Sequence, residues 1–340
     1  MPEKIIFTPQ LIDSHCLIDV RSPLEFEEDH IPGAYNVPLL SNEERVEVGT
    51  IYKQVGAVEA RRRGLELTCS RYYDMVERIT SLSAGRPVVI YCWRGGLRSF
   101  SVATLVETCG TPAWQLAGGY KAFRNHVTDY FERCSFPVPL IVMHGMTGTG
   151  KTEFINSLDP LQWAAIDLEG VACHRGSAFG ALGLKQDFTQ KRFETLLWDA
   201  FKRLPADRPV VVEGESQRIG KYSLPGRLYE KMAASCKVWC HASVETRIER
   251  LTAEYARLEY RDEMLEALER IRKKLGTSRF TELKVMIENW DVGGIAKGLI
   301  EGYYDKMYYK HRPWTPDLEL ELENYRLAEV QLALFWDAQR

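Results

Sequence analysis

Short, unbroken apolar runs alternate along this chain with segments whose apolar positions recur every three to four residues. In the first part, "CLIDVR" (16–21), "PVVIYC" (87–92) and "AWQL" (113–116) have strand length. "SPLEFEEDH" opens a helix with Ser22 and Pro23 at the cap and first-turn positions. "LRSFSVATLVETCG" has helical spacing and stops at Gly110. Strands that alternate with helices predict a parallel sheet covered by helices. The pattern lapses at the prolines of "FPVP" and a linker is expected near residues 128–138. It restarts with "LIVMHG", "WAAIDLEG", "PVVVEGES" and "CKVWCHAS", four further strands with helices between them. From about Val244 onward the chain reads as helical, and "LELELENYRLAEVQLALFW" reads as an amphipathic helix packed on the body. The expectation is an α/β domain over 1–130, a second α/β core over 138–245, and a helical part over 246–340 that packs on the second core.

A length of 340 residues agrees with two domains, since one domain takes roughly 100–200 residues. No apolar run is long enough to cross a bilayer, and "MPEKIIFTPQLIDSHC" lacks the apolar stretch of a secretory signal. A cytoplasmic protein without a membrane partner is expected. The net charge of −3 gives no general affinity for nucleic acid. Two local basic segments stay open as RNA contacts or solvated helix faces: Arg61, Arg62 and Arg63, and Arg270, Arg272, Lys273, Lys274 and Arg279. Eight cysteines are scattered without a short-spaced framework, so free thiols are expected. Cys236, Cys240 and His241 invite a zinc reading, but strand residues four apart lie about 13 Å from each other. Core cysteines and no metal site are expected there.

The strand "PVVIYC" delivers Cys92 to a loop of Trp93, Arg94, Gly95, Gly96, Leu97 and Arg98 before a helix begins. In a parallel sheet, ligands sit beyond the carboxyl ends of strands, where Cys92 falls. Two glycines let successive amides curl around one sulfur atom, and the helix N-terminus and two arginines add positive potential. Each effect favours the thiolate, which is the nucleophile. A buried core cysteine would leave the glycines and arginines unexplained, and a phosphatase loop would need an acid aspartate that the sequence does not reveal. "LIDVRSPLEFEEDHIPGAYNVPL" (17–39) resembles the opening signature of rhodanese domains through Asp19, Arg21, Glu25, Phe26, His30, Pro32 and Gly33. "CWRGGLRS" and "LAGGYKAF" are similar to that family's active-site loop and final turn. The resemblance implies Cys92 as a carrier of sulfur or its relatives in persulfide form.

"GMTGTGKT" (145–152) fits G-x-x-x-x-G-K-[ST] between a strand and a helix. Gly145, Thr147, Gly148, Thr149 and Gly150 form the loop, Lys151 reaches a second phosphate, and Thr152 suits a magnesium ion. "PVVVEGES" offers Glu213 and Glu215 as an acidic strand end. ATP is the common occupant, yet no segment reads as an adenine pocket and another diphosphate would serve equally. Arg247 and Arg250 resemble a kinase lid helix, or else lie on a surface helix face paired with Glu245 and Glu249. "DLEGVACHRGSAFGALG" (167–183) gathers Asp167, Glu169, His174, Arg175 and Ser177 on a glycine-interrupted loop, with Cys173 either reactive or packed. Arg218 and Lys221 in "GESQRIGKYSLP" suit a further phosphate wall.

The order of "NEERVEVGTIYKQVGAVEARRRG", "DLEGVACHRGSAFG" and "ESQRIG" between these two loops resembles the tRNA 2-selenouridine synthase family across nearly the whole chain. The resemblance implies replacement of sulfur by selenium at C2 of a wobble 2-thiouridine, with selenophosphate as donor. It implies an S-geranyl intermediate made from geranyl diphosphate, whose diphosphate Gly148, Gly150, Lys151 and Thr152 would hold without a need for ATP. The implied partners are tRNA carrying wobble 2-thiouridine and the enzyme that produces selenophosphate. "GYYDKMYYKHRPW" (302–314) reads as a base-stacking surface or as an aromatic helix end in the core. The competing readings are a rhodanese sulfurtransferase coupled to an ATP-dependent P-loop domain, and a non-catalytic sensor of reactive sulfur.

Overall fold

A computed structural model describes residues 2–133, 139–214, 216–310 and 314–339. The chain divides into two compact units, Met1–Arg133 with Phe188–Lys202 and Cys134–Asp187 with Arg203–Arg340. Each unit has its own parallel five-stranded sheet, as the strand–helix alternation predicts. Among the described residues no helix is long and apolar enough to cross a membrane.

In the first unit, strands β1 (Lys4–Ile5), β2 (Cys16–Asp19), β3 (Tyr35–Asn36), β4 (Val88–Tyr91) and β5 (Ala113–Leu116) lie in the order β1-β5-β4-β2-β3. β2 and β4 are buried at every position, which is why both read as continuous apolar runs and not as alternating ones. The helix Pro23–Glu28 begins with a capping box between Ser22 and Glu25, with Pro23 in the first turn. Helices Asn42–Gln54 and Ala57–Thr68 pack on each other, fastened by Arg63 Nε donating to Glu47 at 2.6 Å. Helix Gly119–Arg133 runs into the segment expected as a linker, whose remainder, 134–138, lies outside the described residues.

Helix Gln190–Lys202 corrects the expected boundaries, because it belongs to the first unit although it falls within 138–245. Trp198 meets the ring of Phe123 edge-on at 5.4 Å, and Thr195 Oγ1 donates to the buried Asp29 at 2.8 Å. Its apolar period forecasts a buried face, but periodicity does not say which sheet that face covers.

In the same unit, His30 stacks on Phe26 with centroids 3.8 Å apart. Burial lowers its pKa to about 4, against the hydrogen bond to the Phe26 carbonyl, while Arg192 and Arg21 push the same way as burial. The folded value lies below the ordinary 6.5, so the unfolded chain takes up this proton first as pH falls. The stability tied to a neutral His30 is therefore complete above pH 6.5 and lost toward pH 4. Thermal melts across this window should show a falling midpoint, and His30→Asn should flatten the fall. A variant with the wild-type pH slope would count against this assignment.

In the second unit, β6 (Leu140–Gly145), β7 (Ala164–Ile166), β8 (Val210–Glu213), β11 (Cys236–His241) and β12 (Leu318–Glu321) form a parallel sheet in the order β12-β11-β6-β8-β7. A hairpin of β9 (Arg218–Ile219) and β10 (Tyr222–Ser223) stands apart from it. β12 corrects the reading of 246–340 as helical: "LELE" pairs with β11, and the tail helix starts only at Tyr325. Leu320 and Leu322 are fully buried at period two, a strand spacing inside a segment that also fits a helix. The helices Arg261–Leu275, Thr277–Glu288 and Val292–Leu299 build a separate core with Tyr255, Tyr303 and Tyr304. Tyr303 and Tyr304 are therefore packed inside, while His311, Arg312 and Pro313 lie outside the described residues. Cys240 is fully buried and burial pushes its thiol up to about 12, as a core cysteine requires.

Candidate functional sites

The strand β4 carries Cys92 into the interior, with only 3% of its surface exposed. Its Sγ accepts from the Gly96 amide at 3.3 Å and lies 3.2 Å from Ser99 Oγ. The helix Leu97–Thr108 starts directly beyond, with Gly96 at its cap, so its N-terminal end faces the sulfur region. Gly95 has φ +64°, and a Cβ there would stand 2.6 Å from the Leu116 carbonyl oxygen. The turn after β5 approaches just as closely, since a Cβ at Gly119 would stand 2.2 Å from the Cys92 carbonyl oxygen. The amides of Tyr120 and Lys121 then donate to the carbonyls of Cys92 and Trp93 at 2.9 and 3.0 Å. Both glycines thus serve close backbone approach, which fixes the loop.

Gln115 holds the loop from behind. Its side-chain nitrogen lies 2.9 Å from the Gly95 carbonyl, 3.0 Å from that of Gly96 and 2.9 Å from Ser99 Oγ. This residue was missed at the sequence level, where a buried amide inside the apolar strand "AWQL" was the available signal. Arg98 donates to Glu25 at 2.8 Å, so its charge is shared with a carboxylate, whereas Arg94 is exposed. Burial resists ionisation of Glu25, but the hydrogen bond and charge of Arg98 outweigh it and hold the carboxyl below its usual range. Trp93 leans on Tyr120 at 5.2 Å and Leu97 is exposed at the rim.

At the carboxyl end of β6, the loop 145–150 leads into the helix Lys151–Ser157 beside a cavity of about 310 Å³. Thr147, Gly148, Gly150, Lys151 and Thr152 line it. So do Asp167, Glu169, Cys173, His174, Arg175 and Ser177 from the loop after β7. Gly145 and Thr149 lie beneath: the Gly145 carbonyl accepts from Lys151 Nζ at 3.2 Å, and Thr149 Oγ1 donates to the Met146 carbonyl at 2.9 Å. Thr152 Oγ1 donates to Glu169 Oε2 at 3.3 Å, and Asp167 caps its own turn by accepting from Gly170 at 2.6 Å. Hydroxyl and carboxylate oxygens together suit a divalent cation shared with a bound diphosphate. Among the described residues there is no cluster of three or more His, Cys, Asp or Glu that would hold a metal by itself.

Glu213 is buried behind this wall and accepts from the Leu168 amide at 2.5 Å, and Glu215 lies outside the described residues. Arg218 is exposed on β9 and is not among the residues lining the cavity. The β9–β10 hairpin is tied to the wall through Gln186, which accepts from the Lys221 amide at 3.1 Å and donates to the Ala172 carbonyl at 2.6 Å. His174 Nδ1 accepts from the Gly176 amide, and burial, with Arg175 and Arg270 nearby, lowers its pKa. Arg175 pairs with Glu254, and its guanidinium lies 5.3 Å from the Tyr255 ring centroid. Burial raises the Glu254 carboxyl against the charge of Arg175.

Arg247 is fully buried and not on a surface face paired with Glu245 and Glu249. It donates to the Thr147 carbonyl at 2.9 Å and clamps Asp305 at 2.6 and 3.0 Å. Arg250 donates to the Thr149 carbonyl at 2.6 Å. The two arginines thus brace the glycine loop from behind. Asp305 and Glu254 escaped the sequence reading because their partners lie far along the chain. A second, apolar pocket adjoins the polar cavity and shares Thr147, Ser177, Leu251 and Tyr255 with it. Its remaining wall is aliphatic and aromatic, including Leu182, Met264, Ile295, Ala296 and Leu299. As it stands it holds about 30 Å³.

The model of the tRNA 2-selenouridine synthase AAA domain matches residues 138–315, and that of the rhodanese-like domain matches residues 8–126. The chain is 35% identical over 329 residues to the tRNA 2-selenouridine synthase of Pseudomonas syringae pv. tomato, covering 87% of this chain and 88% of that protein. It is 35% identical to the synthase of Cupriavidus pinatubonensis, covering 86% of this chain and 87% of that protein. It is 32% identical to that of Shewanella loihica, covering 88% of this chain and 87% of that protein.

Proposed function

Since this chain belongs to the tRNA 2-selenouridine synthase family, and is thus an enzyme that modifies tRNA, we propose that its two cradles divide the exchange of sulfur for selenium into two chemical steps. In the first, the sulfur on C2 of a wobble 2-thiouridine attacks C1 of geranyl diphosphate, and the diphosphate leaves. In the second, the selenium of selenophosphate attacks C2 and expels the geranylated sulfur as geranylthiol, and water then takes the phosphoryl group from selenium as inorganic phosphate. Cys92 handles selenium in the loop formed by Gly95, Gly96 and the helix Leu97–Thr108.

The observation that carries this reading is the apolar pocket that adjoins the phosphate cavity and shares four of its lining residues. A nucleoside needs polar partners around its base, whereas Leu182, Met264, Ile295, Ala296 and Leu299 offer a prenyl chain aliphatic cover. A volume of about 30 Å³ is room for roughly one water. A geranyl chain therefore enters by displacing flexible side chains, Met264 foremost. Gly148, Gly150, Lys151 and Thr152 hold the diphosphate and stabilise it as it leaves, with magnesium at Thr152 and Glu169 supplying charge when bound. ATP is not consumed.

Filling the pocket should separate this reading from an ATP-dependent one. Ala296→Trp should lower geranyl transfer to 2-thiouridine tRNA roughly tenfold or more, since it occupies volume the chain needs. Binding of inorganic pyrophosphate, followed by calorimetry, should be retained. Equal transfer by the variant, or transfer that requires ATP hydrolysis, would overturn the assignment and favour a sulfurtransferase with an ATP-dependent partner domain.

A further inference from the structure

The helices Asn42–Gln54 and Ala57–Thr68 bury little for their length, and Asn42–Gln54 has no fully buried residue. Exposed apolar and basic residues share one face of the second helix: Val58, Arg61, Arg62 and Leu65 fall at i, i+3, i+4 and i+7. Val58 and Leu65 are 53% and 60% exposed. At the turn between the helices, Tyr52 and Val55 are 63% and 66% exposed, beside the exposed Lys53. Among the described residues, Lys53, Arg61 and Arg62 form no ion pair or side-chain hydrogen bond. Arg63, by contrast, is spent on Glu47 and Glu66.

The base of this pair is fixed beside the selenium loop. Asn42 accepts from the Leu24 amide at 3.0 Å, and Arg45 reaches Glu25 at 3.7 Å. Glu25 in turn holds Arg98, at the start of the helix that follows Cys92. Arg71 pairs with Glu44 and donates to the Leu39 carbonyl. From that anchor a 13-residue helix extends about 20 Å.

We propose that this helical pair is an arm that grips tRNA, with Lys53, Arg61 and Arg62 on backbone phosphates and Tyr52 against a base or ribose. Three exposed cations without an ion-pair partner among the described residues suit an anionic partner. Cations interleaved with an exposed aromatic and apolar stripe match single-stranded RNA recognition. The fixed base then sets the distance between the gripped backbone and the nucleotide presented to Cys92.

The inference rests on the tRNA reading, and one titration distinguishes the two. Binding of a 2-thiouridine tRNA is followed by fluorescence anisotropy from 50 to 300 mM KCl. The variant K53A/R61A/R62A should bind roughly tenfold or more weakly at 150 mM KCl, and its slope of log affinity against log salt should shrink by about 2 to 3. K53R/R61K/R62K, which keeps the charge, should restore both. Tyr52→Ala should lose roughly fivefold or more while keeping the slope. Wild-type binding with an unchanged K53A/R61A/R62A variant of unaltered melting temperature overturns the arm alone. A changed sedimentation of that variant would then reassign the face to a protein contact. No binding by the wild type overturns the tRNA reading and the arm together.

Discussion

Protein carrying Cys92→Ser is expected to accumulate S-geranyl-2-thiouridine in tRNA and to form no 2-selenouridine. Serine is close in shape to cysteine, and the Cys92 site can accept it: the Gly96 amide at 3.3 Å and Ser99 Oγ at 3.2 Å would find an oxygen in place of sulfur. The fold around β4 should therefore survive. What disappears is the sulfur nucleophile that the loop holds for the selenium step. Loss of such a group costs roughly 10³-fold or more in rate. Nucleoside mass spectrometry of tRNA incubated with geranyl diphosphate and selenophosphate reads both products in one sample. If the variant lost geranylation to the same degree as selenium incorporation, the division of labour between Cys92 and the phosphate loop would be wrong.

Much of the frame for this chemistry is local, and local features are legible in sequence. β4, β6 and β8 are buried at nearly every position, so each is an unbroken apolar run that ends at a functional loop. The glycines at 95, 148 and 150 stand where φ is positive, and the motifs mark them without any knowledge of the fold. Contacts made at long range are not legible in this way. Arg247 looks like a surface arginine from its neighbours Glu245 and Glu249, and only the fold brings Asp305 to it. The helix Gln190–Lys202 has a clear apolar face, but its burial against Phe123 depends on tertiary structure. β12 misled because leucines at 318, 320 and 322 lie beside a genuine helix, and period two was swamped by its period. β1 and β3 have two residues each, too few for any period to register. Gln115 and Ser99 are intermediate cases: a buried polar group needs partners, and the sequence shows the group but not what it meets.

Lys151→Ala should lower geranyl transfer by roughly 10²–10³-fold, because it removes a charge aimed at the oxygens that gain negative charge as the diphosphate leaves. The Lys151 ammonium donates to the Gly145 carbonyl at 3.2 Å and lines the cavity, where a diphosphate would meet it. Arg175 cannot substitute, since Glu254 holds it, nor can Arg250, which is engaged with the carbonyls of Thr149 and Leu322. The residue is only partly buried, so truncation should leave the melting temperature nearly unchanged. The informative control supplies the variant with tRNA that already carries S-geranyl-2-thiouridine. That substrate bypasses the phosphate loop, and its conversion to 2-selenouridine should proceed at close to the wild-type rate. A variant deficient on both substrates would mean that the phosphate loop serves the selenium step as well. The cavity would then have to be reread as the place where selenophosphate, another phosphate compound, is bound.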